Sequence, residues 1–322
     1  MKNLPLPLLA LALVGCGISS DPVTVKTAPS TGGGTPSAGK TYTVGLSQCN
    51  LGEPYRAQMN KDIEAAAKDH PEIKLVEKDA ENDSLKQRSQ VEEFVQDKVD
   101  LILISPKEAQ PLTDPVAKAV DAGIPVIVID RAVLGDKYTC FIGADNEKIG
   151  EALGRWLKAK LKPGAQIVEL KGLMTTPPAQ ERHEGFVKGM QGSDAKTLAS
   201  VDMKWLEPQA RTEMESMLSR FPHIDAVFAH NDPGAHGAYL AAKAANRDKE
   251  MMFLGIDALP QEGQAYVAQG IEAASFQYPT GGKEAVDTAL KLLHGEKVDK
   301  KITLASKFFT PDNVKSGGEI VK

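Results

Sequence analysis

Short apolar runs alternate with amphipathic stretches along most of this chain. The runs are rich in branched side chains, and the stretches between them repeat apolar positions at helical spacing. The runs predict buried β-strands and the stretches predict helices with one buried face. Strands are predicted at 43–47, 73–77, 101–105, 125–129, 139–142, 166–170, 226–229, 252–256 and 273–276. Helices are predicted at 55–68, 85–96, 112–121, 148–161, 179–190, 208–219, 234–245 and 281–293.

The order of these elements predicts an α/β fold. Strand and helix alternate, as in repeated strand-helix-strand units, which build parallel sheets. Most of the runs are too apolar to have a wet face, so helices must cover both sides of each sheet. With 322 residues and this many strands, we expect two sheets.

The N-terminal segment predicts export and a lipid anchor. Met1-Lys2 precedes an apolar run over 4–14, which is too short to cross a membrane and is typical of a signal peptide. The run ends in Leu13-Val14-Gly15-Cys16, which resembles a lipobox. We therefore expect a signal peptide at 1–15, lipidation of Cys16 and a flexible Ser-, Thr-, Pro- and Gly-rich linker over 16–40. The alternative is an unlipidated signal with an incidental cysteine.

Composition excludes several classes of partner. The formal net charge is −5 and no basic stripe is present, so nucleic acid is not an expected partner. The six histidines are dispersed without zinc spacing, and we expect neither a metal nor a cofactor. Cys49 and Cys140 lie in an exported chain where a bridge is conceivable, but we expect both to be free.

Polar side chains follow the predicted strands. In open parallel sheets a ligand binds beyond the carboxyl ends of the strands. Carboxylate, amide and guanidinium groups at those ends match pairs of adjacent hydroxyls, and the rings of Tyr55 and Trp205 suit the apolar face of a sugar. The pattern predicts a carbohydrate site. The residues that follow the strands are Gln48 to Arg56, Ser105, Asp130, Arg131, Asn231, Asp232, Asp257 and Gln277.

Six segments in order carry a resemblance to a known family. They are Val44-Gly45-Leu46-Ser47, Gly123-Ile124-Pro125-Val126 with Asp130-Arg131, Gly143-Ala144-Asp145-Asn146, Glu181-Arg182-His183-Glu184-Gly185-Phe186, Val227-Phe228-Ala229-His230-Asn231-Asp232 and Gly255-Ile256-Asp257. From residue 41 to about 314 the chain resembles the ribose-binding family of periplasmic proteins. That family also includes galactose-, allose- and galactofuranose-binding members.

The resemblance implies a set of ligand-binding residues. Arg56 stands where the family has a second stacking aromatic, which is more similar to the galactofuranose-binding protein and leaves the sugar open between pentose and hexose. No catalytic residue is implied. The predicted ligand-binding residues are Gln48, Glu53, Tyr55, Arg56, Ser105, Asp130, Arg131, Arg182, Trp205, Asn231, Asp257 and Gln277.

The resemblance also implies an architecture and a role. Two doubly wound lobes of the type I periplasmic binding protein fold are expected over 41–145 with 279–305 and over 146–278 with 306–322, joined by a three-strand hinge. The expected role is the solute-binding lipoprotein of a bacterial ABC importer, a monomer that closes on a monosaccharide and docks on the membrane permease.

Two alternatives to that role stay open. Asp130 and Asp257 in opposite lobes could mimic the carboxylate pair of a glycosidase, although the chain contains no recognisable nucleophile motif. A sugar sensor for a chemoreceptor or signalling partner would use the same binding site. A sugar-responsive repressor is not expected, because the signal and linker occupy the place of its DNA-binding segment.

Overall fold

The structure, a computed structural model, describes residues 39–321. Strands and helices alternate along the chain. Their order is β1 (Tyr42–Gln48), α1 (Pro54–Lys68), β2 (Ile73–Asp79), α2 (Ser84–Gln96), β3 (Leu101–Ser105), α3 (Ala109–Asp121), β4 (Val126–Ile129), β5 (Cys140–Ala144), α4 (Asn146–Lys160), β6 (Gln166–Lys171), α5 (Pro177–Gly189), β7 (Lys196–Asp202), α6 (Glu207–Arg220), β8 (Ala226–Ala229), α7 (Asp232–Ala244), β9 (Met252–Asp257), α8 (Gly263–Ala268), β10 (Ala274–Gln277), α9 (Gly282–Leu293), β11 (Lys301–Leu304), β12 (Ser306–Phe309) and β13 (Glu319–Val321).

The strands form two sheets. The first has the order β11-β5-β4-β3-β1-β2 with all pairs parallel, and the second has the order β13-β12-β10-β9-β8-β6-β7, parallel except at β12 and β13. Every residue of β3, β4 and β8 is buried, which requires cover on both faces of each sheet. We call the two sheets with their helices the first and second lobes. The predicted two-lobed α/β fold is confirmed.

The chain passes between the sheets three times. The passages lie between β5 and β6, between β10 and β11, and between β11 and β12. The last is the shortest, with Ala305 alone between the two strands. Three connections side by side in the fold are typical of a hinge between two lobes.

Each predicted strand and helix is present in the structure, with its ends within a few residues of the predicted ones. Four strands and one helix were not predicted: β7, β11, β12, β13 and α8. In β7 the residues are exposed or half-buried, and β7 and β13 are edge strands. A polar edge strand contains no continuous apolar run, so the pattern that reveals central strands does not reveal these.

Helices α4 and α5 are brought together by glycines. A Cβ atom added at Gly150 would lie 2.4 Å from the backbone oxygen of Arg182, and one at Gly185 would lie 2.1 Å from that of Glu147. No side chain fits at such a distance, so the two backbones touch. This contact fixes α5, and with it Arg182, against the second lobe.

The lipidation site and the signal peptide lie outside the described residues. Within 39–321, Cys49 and Cys140 are buried and free, as predicted. No helix in that range is long and apolar enough to span a membrane.

Candidate functional site

Nine of the twelve predicted ligand-binding residues line one small cavity between the lobes. Because Asp130 and Arg131 follow β4 and Asn231 follows β8, the cavity lies at the carboxyl ends of both sheets. Its volume is about 20 Å³, enough for a water molecule but not for a ring sugar. The nine residues are Glu53, Tyr55, Arg56, Asp130, Arg131, Arg182, Trp205, Asn231 and Asp257; Pro178 also lines it.

A buried ion pair forms the wall on the first lobe. Arg56, near the start of α1, places Nη1 2.5 Å from Oδ2 of Asp130 and donates a 2.9 Å hydrogen bond to Oγ of Ser105. Asp130 has a positive φ of 65°, which turns the chain immediately after β4. Ser105 therefore supports the Arg56 side chain through this hydrogen bond and does not itself line the cavity.

Arg131 reaches from the first lobe to the second. Its Nη1 donates to the backbone oxygen of Lys107 at 3.0 Å, and its guanidinium carbon lies 5.6 Å from the centre of the Trp205 ring. The side chain is 2% exposed, and Glu53 lies 3.8 Å from Nη2. Arg131 is therefore a direct bridge between the two walls of the cavity.

Arg182 organises the wall on the second lobe. Its Nε donates to Oδ1 of Asn146 at 2.9 Å, Nη1 donates to the backbone oxygen of His230, and the same nitrogen lies 3.6 Å from Oδ1 of Asp257. The guanidinium carbon is 5.4 Å from the centre of the Trp205 ring. Trp205 thus lies within cation-π distance of an arginine from each lobe.

Asn231 and Asp257 complete this wall. The side chain of Asn231 caps α7 by accepting from the Gly234 amide at 3.0 Å, and it donates to the backbone oxygen of Trp205 at 3.1 Å. Burial raises the pKa of Asp257 to about 7, although Arg182 and Arg56 lower it. The carboxyl group can therefore accept or donate near neutral pH.

The two predicted stacking aromatics are held differently. Trp205 has a φ of 68°, and its ring occupies the space beside Gly172, where an added Cβ would lie 2.2 Å from a ring carbon. Tyr55 donates a 3.0 Å hydrogen bond to the backbone oxygen of Pro279 and meets Tyr278 edge-on at 5.8 Å. Tyr55 therefore contacts both the cavity and the hinge.

The structure does not bring Gln48, Ser105 and Gln277 into the cavity wall. The Gln48 amide is fully buried inside the first lobe, where it donates to Asn60 at 2.9 Å and accepts from the Cys49 amide at 3.0 Å. Gln277 lines a second groove beside the hinge, which shares Asp257 with the cavity. Each of the three is the last residue of its strand, β1, β3 or β10, and internal hydrogen bonds or the direction of the side chain keep it away from the cavity.

Sequence reasoning missed Pro178, Asn146 and Tyr278. Pro178 lies in the first turn of α5, beyond the end of β6, and the strand-end rule applied to that loop would have found it. Asn146 and Tyr278 act behind the wall: Asn146 accepts from Arg182, and the Tyr278 ring lies 5.0 Å from the Arg182 guanidinium carbon. Buried support of this kind has no local sequence pattern.

A second polar network lies behind Arg182. Glu169 on β6 accepts from Nδ1 of His183 at 2.8 Å, Nε2 of His230 at 3.1 Å and Oγ of Ser200 at 2.5 Å. Burial would raise its pKa, but these hydrogen bonds lower it to about 2. Within 39–321 no three His, Cys, Asp or Glu side chains are grouped to hold a metal ion.

Two kinds of comparison place the chain among known proteins. The sequence profile described as "Periplasmic binding protein domain" matches residues 44–297. The ribose import binding protein RbsB of Bacillus subtilis (strain 168) is 34% identical over 273 residues, which cover 84% of this chain and 88% of that protein.

Two solved structures are similar along nearly their whole length. The fructose-binding periplasmic domain of a hybrid two-component system is 40% identical with a TM-score of 0.82, covering 85% of this chain and 92% of that one. A protein from Mycobacterium smegmatis in complex with β-D-fucofuranose is 30% identical with a TM-score of 0.81, covering 86% and 93%.

Proposed function

Because this chain belongs to the periplasmic binding protein domain family, we propose that it is the monosaccharide receptor of a bacterial ABC importer. It would bind one sugar between its lobes and deliver it to the membrane permease. The ribose relative is an import binding protein, and the family members named above are binding proteins. The prediction that the chain is not an enzyme is thereby confirmed.

The observation that carries the proposal is the balanced, converging charge around one cavity. Three guanidinium groups (Arg56, Arg131 and Arg182) and three carboxyl groups (Glu53, Asp130 and Asp257) line it, drawn from both lobes. Such a set favours a neutral ligand with many hydroxyls over an ion, because every hydroxyl can donate to a carboxylate and accept from an arginine.

Buried donors support the same ligand class. Nε of Arg56, Nε of Arg131 and Nε1 of Trp205 are buried without a hydrogen-bond acceptor in the described part of the chain. All three belong to residues that line the cavity. Because an unpaired buried donor is costly, a ligand that supplies acceptor oxygens would gain affinity from each one.

Ligand entry requires the lobes to separate. A cavity of about 20 Å³ does not hold a ring sugar, and Arg131 and Trp205 close it from opposite sides. We propose that the three connecting segments act as the hinge and that the lobes extend over 41–145 with 279–305 and over 146–278 with 306–322.

The relatives narrow the choice of sugar. Their names specify ribose, fructose and β-D-fucofuranose, a pentose and two hexoses of which the last is in furanose form. Arg56 occupies the place of a second stacking ring, which favours polar contacts to one sugar face. We propose a pentose or hexose, with furanose forms as the first candidates.

The proposed location is the cell envelope. The expected signal peptide and lipidated Cys16 would hold the receptor at a membrane outside the cytoplasm, with residues 16–40 as a tether. We propose a monomer whose partners are the sugar, the permease and the membrane.

A thermal-shift screen tests the ligand class. The protein is heated with D-ribose, D-fructose, L-arabinose, D-galactose, D-allose and myo-inositol, and with amino acids as the control set. One sugar should raise the midpoint, since a ligand at 100 times its Kd stabilises the folded state by about 2.7 kcal/mol. A shift by amino acids and by none of the sugars would refute the proposal.

A sensor is the second candidate function. The fructose-binding domain of a two-component system is 40% identical to this chain, so the same lobes can serve a signalling protein. Sugar uptake separates the two roles. Loss of uptake of the bound sugar in a deletion strain supports the importer, whereas normal uptake with lost sugar-dependent transcription supports the sensor.

A further inference from the structure

Two carboxyl side chains lie buried behind the cavity wall of the second lobe. Asp232, the first residue of α7, is 0% exposed, and Glu272, which precedes β10, is 1% exposed. Neither lines the cavity. A buried carboxyl group is expensive unless it is paired or protonated, so this pair calls for a physical explanation.

Asp232 joins the ends of three strands. Its Oδ2 accepts from the Ala258 amide at 2.6 Å, and its Oδ1 accepts from Oγ of Ser275 at 2.6 Å. Asp232 itself follows Asn231 at the end of β8, Ala258 follows Asp257 at the end of β9, and Ser275 lies in β10. One carboxyl group therefore links the segments that carry two cavity-lining side chains.

The turn that Asp232 holds is strained. Asp257 has a φ of 115° and Ala258 has a φ of 43°, which non-glycine residues seldom adopt. Conformations of this kind persist when the surroundings over-determine them. The short hydrogen bond from the Ala258 amide to Asp232 holds this turn, together with bonds from the Gln264 side chain to the Ala258 oxygen at 2.8 Å and from the Tyr278 amide to the Asp257 oxygen at 3.2 Å. Of these, it is the bond that ties the direction of the Asp257 carboxyl group to α7.

Two glycines leave room for Asp232. A Cβ atom at Gly255 would lie 2.2 Å from Oδ1 of Asp232, and one at Gly263 would lie 2.1 Å from Oδ2. Any larger residue at either position would displace the carboxyl group. The packing is therefore shaped around Asp232 from both sides.

Glu272 lies against the same point. The Cβ at Gly255 would also be 3.0 Å from Oε2 of Glu272, and both oxygens of Glu272 lack a hydrogen-bond donor within the described residues. Burial raises the pKa of both carboxyl groups; the negative charge of Asp257 raises the pKa of Asp232 further, and the negative charge of Asp232 raises the pKa of Glu272 further. Two such groups cannot both be charged without a high cost, and one proton held between them would remove the repulsion.

We propose that Asp232 is a positioning residue for ligand binding, which aims Asp257 by holding the Ala258 amide, and that a proton on Glu272 keeps Asp232 in that place. This inference rests on the proposed function and extends it to residues that do not touch the ligand. Loss of the shared proton would drive the two carboxylates apart, release the turn and weaken binding.

The groups around the pair make it the centre of a wider set of charges. Asp257 on β9 and Glu262, just before α8, add negative charge to both members. Glu207 on α6 and Tyr266 on α8 face Glu262, and His236 on α7 pairs with Glu207 at 3.0 Å. The cations nearby, Arg182 and Arg56, act on Asp257.

The matched variants are Glu272→Gln and Asp232→Asn. The glutamine keeps a donor for Asp232 but cannot lose a proton. The asparagine can accept only one of the two hydrogen bonds that Asp232 accepts. Ser275→Ala is the control, since it removes one bond to Asp232 and leaves the bond to the Ala258 amide.

Calorimetric titration from pH 6 to 10, with the sugar that stabilises the protein most in the screen, measures the effect. Wild-type affinity should fall at alkaline pH, by up to about tenfold per pH unit for one proton. Glu272→Gln should bind within about twofold of wild type at pH 7 and show a smaller alkaline fall than wild type, since Asp257 titrates in both, and Asp232→Asn should bind about tenfold or more weakly at all pH values. An alkaline fall of equal size in Glu272→Gln and wild type, or full affinity in Asp232→Asn, would overturn the proposal.

A ligand-free measurement separates this inference from the proposed function. Because the folded-state pKa of Glu272 is raised above its ordinary value of 4.5, the folded chain holds a proton that the unfolded chain releases, and stability falls as pH rises. Urea unfolding should show a smaller fall from pH 5 to 9 in Glu272→Gln than in wild type. Identical pH dependence of the two proteins would overturn the proposed shared proton, even if no sugar bound. This test does not need Asp232→Asn, so it can be made even if that variant does not fold.

Discussion

Thr175 of the second lobe donates a hydrogen bond of 2.8 Å from Oγ1 to Oε1 of Glu108 in the first lobe. The other oxygen of Glu108 accepts from Oγ of Ser84 at 2.9 Å, a contact within the first lobe. Lys107, the neighbour of Glu108, accepts from Arg131, so this bond lies beside the cavity wall. It spans the cleft and must break when the lobes separate.

Removing this bond should favour the open state. In Thr175→Val we expect sugar affinity to fall about threefold to tenfold, mainly through faster dissociation, because a hydrogen bond to a partly exposed carboxylate is worth about 1 kcal/mol. Stopped-flow fluorescence of the tryptophans measures the rate. Ser84→Ala is the matched control, since it removes a bond to the same carboxylate without touching the second lobe. Equal effects of the two variants would remove the role assigned to Thr175.

Arg131 and Asp257 should each matter for affinity. Truncation of either to Ala removes charge-assisted hydrogen bonds worth about 1.5–3 kcal/mol, which corresponds to about tenfold to hundredfold weaker binding. Arg88→Ala, which removes an exposed ion pair on α2, is the control and should leave the Kd unchanged. Titration calorimetry gives the Kd values, and wild-type affinity in Arg131→Ala would show that the bridge to Trp205 is not used by the ligand.

Glu169 should dominate the acid dependence of the second lobe. Its pKa of about 2 lies below the ordinary 4.5, so its contribution is present above pH 4.5 and lost as pH falls towards 2. The lowering corresponds to about 3 kcal/mol. In Glu169→Gln, urea unfolding should show a smaller loss of stability between pH 5 and 3 than in wild type. An equal loss of stability in the variant and wild type between pH 5 and 3 would show that the three hydrogen bonds to Glu169 do not stabilise the folded state.

His183 reports on the same contact from the other side. Its hydrogen bond with Glu169 raises its pKa above 6.5, so this part of the stability is lost as pH rises through the folded-state pKa. Glu169→Gln should return the pKa of His183 towards its ordinary value in an NMR titration. An unchanged titration of His183 in Glu169→Gln would contradict this prediction.

The proposed anchor depends on one thiol. Cys16→Ser would remove the proposed acyl acceptor, so the variant should leave the membrane fraction or accumulate uncleaved. Fractionation of cells with an antibody to the protein measures this. Cys49→Ser is the control, because Cys49 is buried in the first lobe and should not affect retention. Normal membrane retention of Cys16→Ser would contradict the lipoprotein proposal.

The sequence predicts the central strands well because burial leaves a strong local pattern. β3 and β8 are uninterrupted apolar runs, and both are found at the predicted residues. By contrast the residues of β7 and β12 are partly polar, so neither strand forms a continuous apolar run. Their pairing is decided by the assembled sheet, which a local pattern does not describe.

The cavity residues also differ in how far the sequence predicts them. Asp130, Asn231 and Asp257 were predictable because a parallel sheet brings the residues after its strands to one edge. Gln48 is the last residue of β1, but Asn60 binds its amide inside the lobe. Asp232 and Glu272 carry no signal for their role, since it arises from a turn, two glycines and a third strand that meet only in the folded lobe.

Titration of the purified protein with its stabilising sugar, followed by analysis of the released sugar, tests the central claim most directly. We expect one sugar bound per chain, recovered chemically unchanged, with binding weakened in Arg131→Ala. Failure of every monosaccharide to bind, or recovery of a converted product that disappears in Asp257→Ala, would contradict it and favour a different ligand or a hydrolase.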